Sequence, residues 1–427
     1  MYKSSILMTI VFFCLHCSIA LANERVLMEM PDPAVIEADK GSFYIFATGR
    51  GLPIYHSTDL VNWERVGSVF ETAVPAWSKK AVPATRGIWA PDIVKLNDTY
   101  FVYYSVSSFG SQRSVIGVAM NTTLDHTSDD YQWVDQGLVI ESNPGQCDFN
   151  AIDPAVFQQD DGRTYMVWGS YWGGIKVIEL NPETGKPLEA KPEILSVAAR
   201  PNHPTHAIEG AYMVRHGDYY YLFVSWDSCC DGAESTYKVI VGRSKTLLGP
   251  YVDFTGKAMV DGGGTRVLAN NDNWRGPGHN SVLTTDEGNW LVHHVYDTLH
   301  LESQRILQIR PIYWTQDGWP VVGEPLSSNN PMTTRRPDVK TNDIIGSWRV
   351  SLNYDSEMIV DLLPGGHIAN DEDAWWKLDG DKLLLFWPGK LTNDGNNPDR
   401  CFVEMTKDSF IGRDRSGAVI RGKKINP

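Results

Sequence analysis

Five short segments of this chain share one pattern and recur at intervals of roughly 60 residues, the last interval being longer. They are PDPAV (31–35), APDIV (90–94), IDPAV (152–156), IEGAY (208–212) and GHNSV (278–282). Each puts an acid or an imidazole (Asp32, Asp92, Asp153, Glu209, His279) ahead of an apolar run, a turn and a second, aromatic-rich run. The second runs are FYIFAT (43–48), YFVYYSV (100–106), TYMVWGS (164–170), YYYLFVSW (219–226) and NWLVHHVYD (289–297). Turn residues such as Asn97-Asp98 and Asp160-Asp161-Gly162 separate the runs of each pair, and no long helix-period segment interrupts them. An all-β fold follows, a β-propeller of about five four-stranded blades over residues 27–325. Innermost strands of a propeller converge on one axis, so the three Asp, the Glu and the His should meet in one pocket.

Within each blade a further outer hairpin is expected. In PIYHSTDLVNWERV (53–66), Ser57, Asp59 and Trp63 predict a tight turn locked by polar side chains. Residues 326–341 are rich in Pro, Ser, Thr and Asn and read as a linker. From 342 to 427 the chain changes to short strands with glycine turns, predicting a small β-barrel or sandwich. That part shows no catalytic constellation. An accessory or stabilising role is expected there, with carbohydrate binding through Trp375, Trp376 or Trp387 as the alternative.

The N-terminus has the form of a signal peptide. Lys3 precedes an apolar stretch from Ile6 to Phe13, and Ala20-Leu21-Ala22 makes an A-x-A cleavage site, so export to medium or periplasm is expected. The CxxC of Cys14 and Cys17 falls inside this segment and carries no redox or metal meaning. Cys147, Cys229, Cys230 and Cys401 are too few for a disulfide scaffold. Neighbouring Cys229 and Cys230 do not easily bridge each other, whereas a bond from Cys147 to either is conceivable in an exported protein. Net charge is −14 with no basic run longer than two residues, which argues against nucleic acid and anionic membranes. No further segment is suited to span a bilayer. Most of the aromatic residues, 11% of the chain, should pack between blades, and the remainder suit stacking on sugar faces.

A pocket of carboxylates can bind a divalent metal, cleave a glycosidic bond, or be structural. The chain lacks the clustered D-x-D-x-D-G type of loop that calcium sites use. Glycoside cleavage needs one protonated and one ionised carboxyl group, and a third acid nearby raises the pKa of the proton donor. Asp32, Asp153 and Glu209, on separate blades, can supply the three. Lys176, Arg243 and Arg275 are candidate cationic partners. His293 and His294 alternate along a strand and read as packing or supporting groups.

Long motifs, in order, sharpen this. They are ATGRGLPIYHSTDLVNWERVGSVF (47–70), RGIWAPDIVKLNDTYFVYYSVSSFGS (86–111), FNAIDPAVF (149–157), GSYWGGIKVIEL (169–180), HAIEGAYMVRHGDYYYLFVSWDSCCDG (206–232), STYKVIVGRS (235–244), GGGT (262–265) and RGPGHNSV (275–282). Together they resemble glycoside hydrolase family 43, most of all its endo-1,5-α-L-arabinanases. The resemblance implies a five-bladed propeller with an inverting site, acting on arabinan or arabino-oligosaccharides as a monomer without organic cofactor. It makes Asp32 the general base, Glu209 the general acid and Asp153 the residue that tunes and orients the acid. It places Asn150, Ala151, Ile152 and Asp153 around the central sugar, with Ser170, Tyr171, Trp172 and Gly110 as further sugar contacts and Trp89 as a cleft wall. It assigns His279 to a metal ion, often calcium, on the axis. It gives Asp92 no reacting role, so a buried structural carboxylate paired with backbone or Arg is expected there. Pro31 stands where many relatives have His, and Gly210-Ala211 where many have Pro or Ala-Pro, which would reshape subsites and leave the carboxylates. The rival readings are an exo-acting arabinofuranosidase or β-xylosidase of the same fold, and a propeller that binds glycans without cutting them.

Overall fold

The computed structural model describes residues 28–300, 304–328, 330–332, 337–387 and 398–425. The signal-peptide segment lies outside the described residues. Five antiparallel meander sheets follow one another along the chain. The first blade runs Ala34–Asp39, Ser42–Phe46, Pro53–Ser57 and Glu64–Ser68, and the second Trp89–Leu96, Thr99–Val106, Ser114–Asn121 and Val134–Ser142. The third has Ala155–Gln158, Thr164–Trp168 and Ile175–Asn181, with Lys186–Pro187 and Leu195–Ala198 both paired to its third strand. The fourth holds Ile208–His216, Tyr219–Trp226, Lys238–Ser244 and Thr265–Leu268. The fifth holds Trp274–Thr285, Gly288–Asp297, Ile306–Trp314 and Pro320–Val322. This is the five-bladed propeller that the repeats imply.

Strands apolar on both faces make the ring possible. In Thr99–Val106, Tyr100, Val102, Tyr104 and Val106 pack toward the first blade, while Phe101 and Tyr103 pack toward the third. Period-two alternation therefore serves two interfaces at once, and polar residues are left to turns. The outer turn of the first blade is locked as its sequence predicts. Asp59 Oδ1 accepts from the amides of Val61 (2.9 Å) and Asn62 (2.7 Å), and Ser57 Oγ accepts from that of Leu60 (3.0 Å). Ring closure joins residues far apart in sequence. Phe43, Ile45 and Trp63 of the first blade pack on Trp290, Val292 and Ile309 of the fifth. Before the first blade, Met30 N–H bonds Arg305 O (3.1 Å) and Leu307 N–H bonds Met28 O (3.0 Å). That fastening brings Arg305 to the start of the first blade.

The C-terminal part is a barrel, closed because Gly346–Leu352 pairs with both Ser356–Leu362 and Val419–Lys424. Trp376 and Trp387 lie in its core with Trp348. Of the three tryptophans considered for sugar binding, only Trp375 is exposed (37%), its ring stacked on Phe386. The four described cysteines are unpaired, so no bond joins Cys147 to Cys229 or Cys230. No helix among the described residues is long and apolar enough to cross a membrane.

Candidate active site

Each blade enters its first strand through a residue in the left-handed backbone region. These are Asp32 (φ 53°), Ala90 (φ 40°), Asp153 (φ 60°), Gly210 (φ 58°) and His279 (φ 49°). Four of the five carry a Cβ, an uncommon conformation that persists only where the surroundings impose it. The restraint comes from the preceding blade. Ala90 N–H bonds Thr48 Oγ1 (2.7 Å), Asp153 N–H bonds Ser105 Oγ (2.9 Å), His279 N–H bonds Ser225 Oγ (2.8 Å) and Asp32 N–H bonds His294 Nδ1 (3.1 Å). Thr48, Ser105, Ser225 and His294 occupy one column, just past or near the end of each second strand. The third blade has Gly169 in that column, where a Cβ would meet Gly174 O at 2.4 Å. With no side chain available, Gly210 N–H turns to the carboxyl group of Asp153 (Oδ2, 3.2 Å). This break in the five-fold pattern sets Asp153 beside Glu209, the residue before Gly210.

The true axial column therefore differs from the one read off the repeats. Asp92 lies two residues beyond Ala90, in the next layer down, where its Oδ2 accepts from Val156 N–H (2.7 Å) and ties the second blade to the third. Burial pushes it up to about 7. Glu209 stands one residue before the column and points toward two hydroxyls, Ser170 Oγ (2.8 Å) and Tyr237 Oη (2.9 Å).

The three acids meet different surroundings. Burial alone would raise Asp32, but Arg305, then His279, hold it well below the usual carboxylate range. Arg305 Nη1 lies 3.1 Å from its Oδ1, and Thr48 Oγ1 donates to its Oδ2 at 2.5 Å. Asp153 has no cationic partner among the described residues. Burial, then the charges of Glu209 and Asp32, push it well above the usual range, so it stays protonated. His294 is held down to about 4 by burial, so it is neutral and Nδ1 is free to accept. One firmly ionised carboxylate, one neutral carboxyl and one acid on hydroxyl groups thus share a single pocket.

Matching the family model for glycosyl hydrolases family 43 takes residues 26–320, more than half of the chain. The chain belongs to glycosyl hydrolase family 43. It is a glycosidase. An extracellular exo-α-(1→5)-L-arabinofuranosidase of Cellvibrio japonicus is 42% identical over 318 residues, covering 73% of this chain and 90% of that protein. An extracellular endo-α-(1→5)-L-arabinanase of Bacillus subtilis is 41% identical over 293 residues, 68% of this chain and 86% of that one. A crystal structure of an endo-1,5-α-L-arabinanase from Thermotoga petrophila superposes with a TM-score of 0.77 at 22% identity, covering 95% of this chain and 100% of that one. At that identity it speaks for the fold alone, and its coverage takes in both the propeller and the barrel.

The remaining predicted residues of this family 43 chain line or support the pocket to different degrees. Asn150 and Ala151 are buried and build the loop that delivers Asp153. Asn150 Oδ1 accepts from Ser114 Oγ (2.7 Å), and Ala151 N–H bonds Ser142 Oγ (2.9 Å). Ile152 O takes the amide of Gly169 (2.9 Å). Ser170 reaches Glu209 directly, Tyr171 is pushed up to about 12 by burial and then by Glu209, and Trp172 is 38% exposed. Trp89 is half-buried opposite Ser105, and Gly110 sits in the Ser107–Arg113 loop with an open left-handed conformation. None of the three expected cationic partners serves the acids. Lys176 pairs with Asp148 (2.6 Å), Arg243 lies over the rings of Tyr219 and Trp319, and Arg275 bonds its own loop carbonyls. Arg305 does that work, and it was missed because 273 residues separate it from Asp32. Tyr237 was missed as well. The supporting column had a signal, a Thr, Ser or His near the end of each aromatic run.

For a calcium ion at His279, the imidazole is the one side-chain ligand that the sequence assigned, with water left to complete the shell. Among the described residues no three His, Cys, Asp or Glu side chains form a group able to hold a metal. His279 Nδ1 itself faces Asp32 Oδ1 at 3.5 Å. A hard cation takes six to eight oxygens, and one imidazole leaves nearly all of them to water.

Proposed function

We propose that this chain is an exported, monomeric, endo-acting arabinanase that cleaves α-1,5-L-arabinofuranosidic bonds with inversion. The observation that carries this is the division among three acids of one pocket: Asp32 ionised against Arg305, Asp153 kept neutral, Glu209 between two hydroxyls. Asp32 takes a proton from the water that attacks the anomeric carbon. Glu209 protonates the departing oxygen. Asp153 orients Glu209 through the Gly210 amide and, by staying neutral, spares the pocket a third negative charge. Inversion requires the acid and base to stand about 6.5–9.5 Å apart with water between them. Trp172 and Trp89 offer apolar faces to the sugar chain, with Gly110, Asn150, Ile152, Ser170 and Tyr171 shaping the central subsites. The signal-peptide pattern and the extracellular names of two relatives support export.

Digestion of debranched arabinan, with product sizing and anomer detection, tests the reading. A ladder of oligosaccharides, inverted at the new end, is expected. Release of one small product from the outset would favour the exo-acting reading, which the relative from Cellvibrio japonicus supports. No cleavage by a folded protein would leave only glycan binding. A calcium ion at His279 would be held mainly by water. Activity lost on chelation and restored by calcium alone would support that part, and unchanged activity would remove it.

A further inference from the structure

Cys229 and Cys230 stand together on the rim of the pocket. They lie in the loop between Tyr219–Trp226 and Lys238–Ser244, with Cys230 exposed and Cys229 half-buried. Cys229 Sγ lies 4.0 Å from Nη1 of Arg305, the same nitrogen that holds Asp32. The Cys229 thiol, then the Arg305 cation, draw Cys230 below the usual cysteine range, which favours its thiolate. Cys147 is engaged elsewhere, against Asn143 O and Phe149 O, and Cys401 is inside the barrel. The two adjacent thiols therefore have each other as their nearest redox partner, with solvent access.

We propose that Cys229 and Cys230 form a thiol–disulfide site for small disulfides of the glutathione class, and that its closure disarms the Asp32–Arg305 pair. The Cys230 thiolate attacks one sulfur of the small disulfide and expels one thiolate. Cys229 gives up its proton to water and attacks Cys230 Sγ in the mixed disulfide, expelling the second. Two cysteines are oxidised by two electrons and one disulfide is reduced to two thiols. Neighbouring Cα atoms lie about 3.8 Å apart, short of the roughly 4.4–6.8 Å that most disulfides span. The peptide bond fixes that spacing, so the backbone at residues 229 and 230 must twist for the ring to close. The ends of the loop are fixed: Asp227 is held by Lys238 and Arg200 at 2.5 Å each, and Tyr237 is held on Glu209. The twist falls on the middle of the loop, where Cys229 meets Arg305. A strained disulfide of this kind is readily reduced again, which makes the site reversible.

The activity readout rests on the proposed arabinan cleavage, while the thiol chemistry is read separately by mass. Reduced protein is first assayed on linear arabinan, so failure there concerns the function and not this site. Incubation with oxidised glutathione should then lower kcat/KM by roughly a hundredfold, the scale of a small misplacement of catalytic groups. Dithiothreitol should restore it. The peptide holding both cysteines should lose two hydrogen masses with no link to Cys147. Cys230→Ser and the double serine variant should cleave in the reduced state and ignore the oxidant, while Cys147→Ser should respond as the parent does. The proposal fails if the disulfide forms with activity intact. It also fails if only a stable glutathione adduct forms, or if the serine variants are still inactivated.

Discussion

Two buried clusters of charge, one on the propeller axis and one where the barrel docks, are built on opposite plans. At the junction, Arg421 Nη2 bonds Glu324 Oε1 (2.8 Å), Glu404 Oε1 takes the amide of Glu324 (2.6 Å), and Arg310 Nη1 bonds Gly323 O (2.8 Å). Arg413 reaches across to Pro320 O and Arg266 O (both 2.8 Å). Guanidinium groups outnumber carboxylates there, and their bonds run to backbone of both parts. On the axis, three acids share one close cation, Arg305, so Asp153 cannot ionise. Burial is common to both clusters and so does not mark the reactive one. What marks it is a surplus of like charge and polar groups held ready for something other than protein.

The sharpest way to break the contrast is to neutralise one group on each side. Asp32→Asn and Glu209→Gln should each lower kcat by roughly 10²–10⁴-fold, the usual worth of a positioned acid or base. Thermal stability should stay level or rise in Glu209→Gln, where like charge is relieved, and should fall in Asp32→Asn, which leaves the buried Arg305 without its carboxylate. Kinetics on linear arabinan beside a thermal melt check both halves, and near-normal turnover in Glu209→Gln would remove it as the acid. Arg421→Met should do the reverse of Glu209→Gln. Stranding Glu324 should cost stability toward the low side of the roughly 3–5 kcal/mol of a broken buried pair, because the two side chains keep 19% and 27% of their surface in water. Its kcat at moderate temperature should match the parent.

Much of this was legible in the sequence, and the gaps have physical reasons. The repeats and their alternation state the propeller outright, because every blade meets the same packing problem on both faces. Asp32 and Asp153, each followed by Pro, stand in the same phase of their repeats, and Glu209, followed by Gly210, stands one residue earlier. Asp92 shared that phase only approximately, because a two-residue offset at a bulge is invisible without the partner strand. Arg305 could not be found, since the closing strand sets its neighbour and no local spacing does. Barrel and sandwich were inseparable for the same reason. Closure depends on Gly346–Leu352 meeting Val419–Lys424, a pairing that leaves no mark in either segment.

A smaller effect separates the clusters by pH. Arg305 keeps the folded-state pKa of Asp32 low, so Asp32 stays ionised, and its pairing persists, until pH falls through that depressed value. Removing the cation in Arg305→Met raises the Asp32 pKa, so activity should begin to fail at a higher pH as the solution is acidified. The pH profile of kcat should show its acid limb moved upward, alongside a lower maximum. Arg421→Met, far from Asp32, should leave the limb in place. An unmoved limb in Arg305→Met would mean that His279 suffices to hold Asp32.

The supporting column allows the finest test, because identical chemistry serves different tenants. Ser225→Ala and Ser105→Ala each remove one hydroxyl that takes the amide of a left-handed residue, His279 in one case and Asp153 in the other. Each leaves an N–H without its partner, buried at Asp153 and partly buried at His279, a loss of about 1–3 kcal/mol in stability. The stability losses should be of the same order, the larger at the more buried Asp153. The kinetic losses should not be. Asp153 also holds the Gly210 amide next to Glu209, so relaxing its backbone in Ser105→Ala should lower kcat, by up to roughly tenfold for a small misplacement. Ser225→Ala frees His279, which takes no proton in the reaction, and should lower kcat less than Ser105→Ala does. Equal kinetic losses would show that the ring acts as one rigid frame and that Asp153 gains nothing special from its place in it.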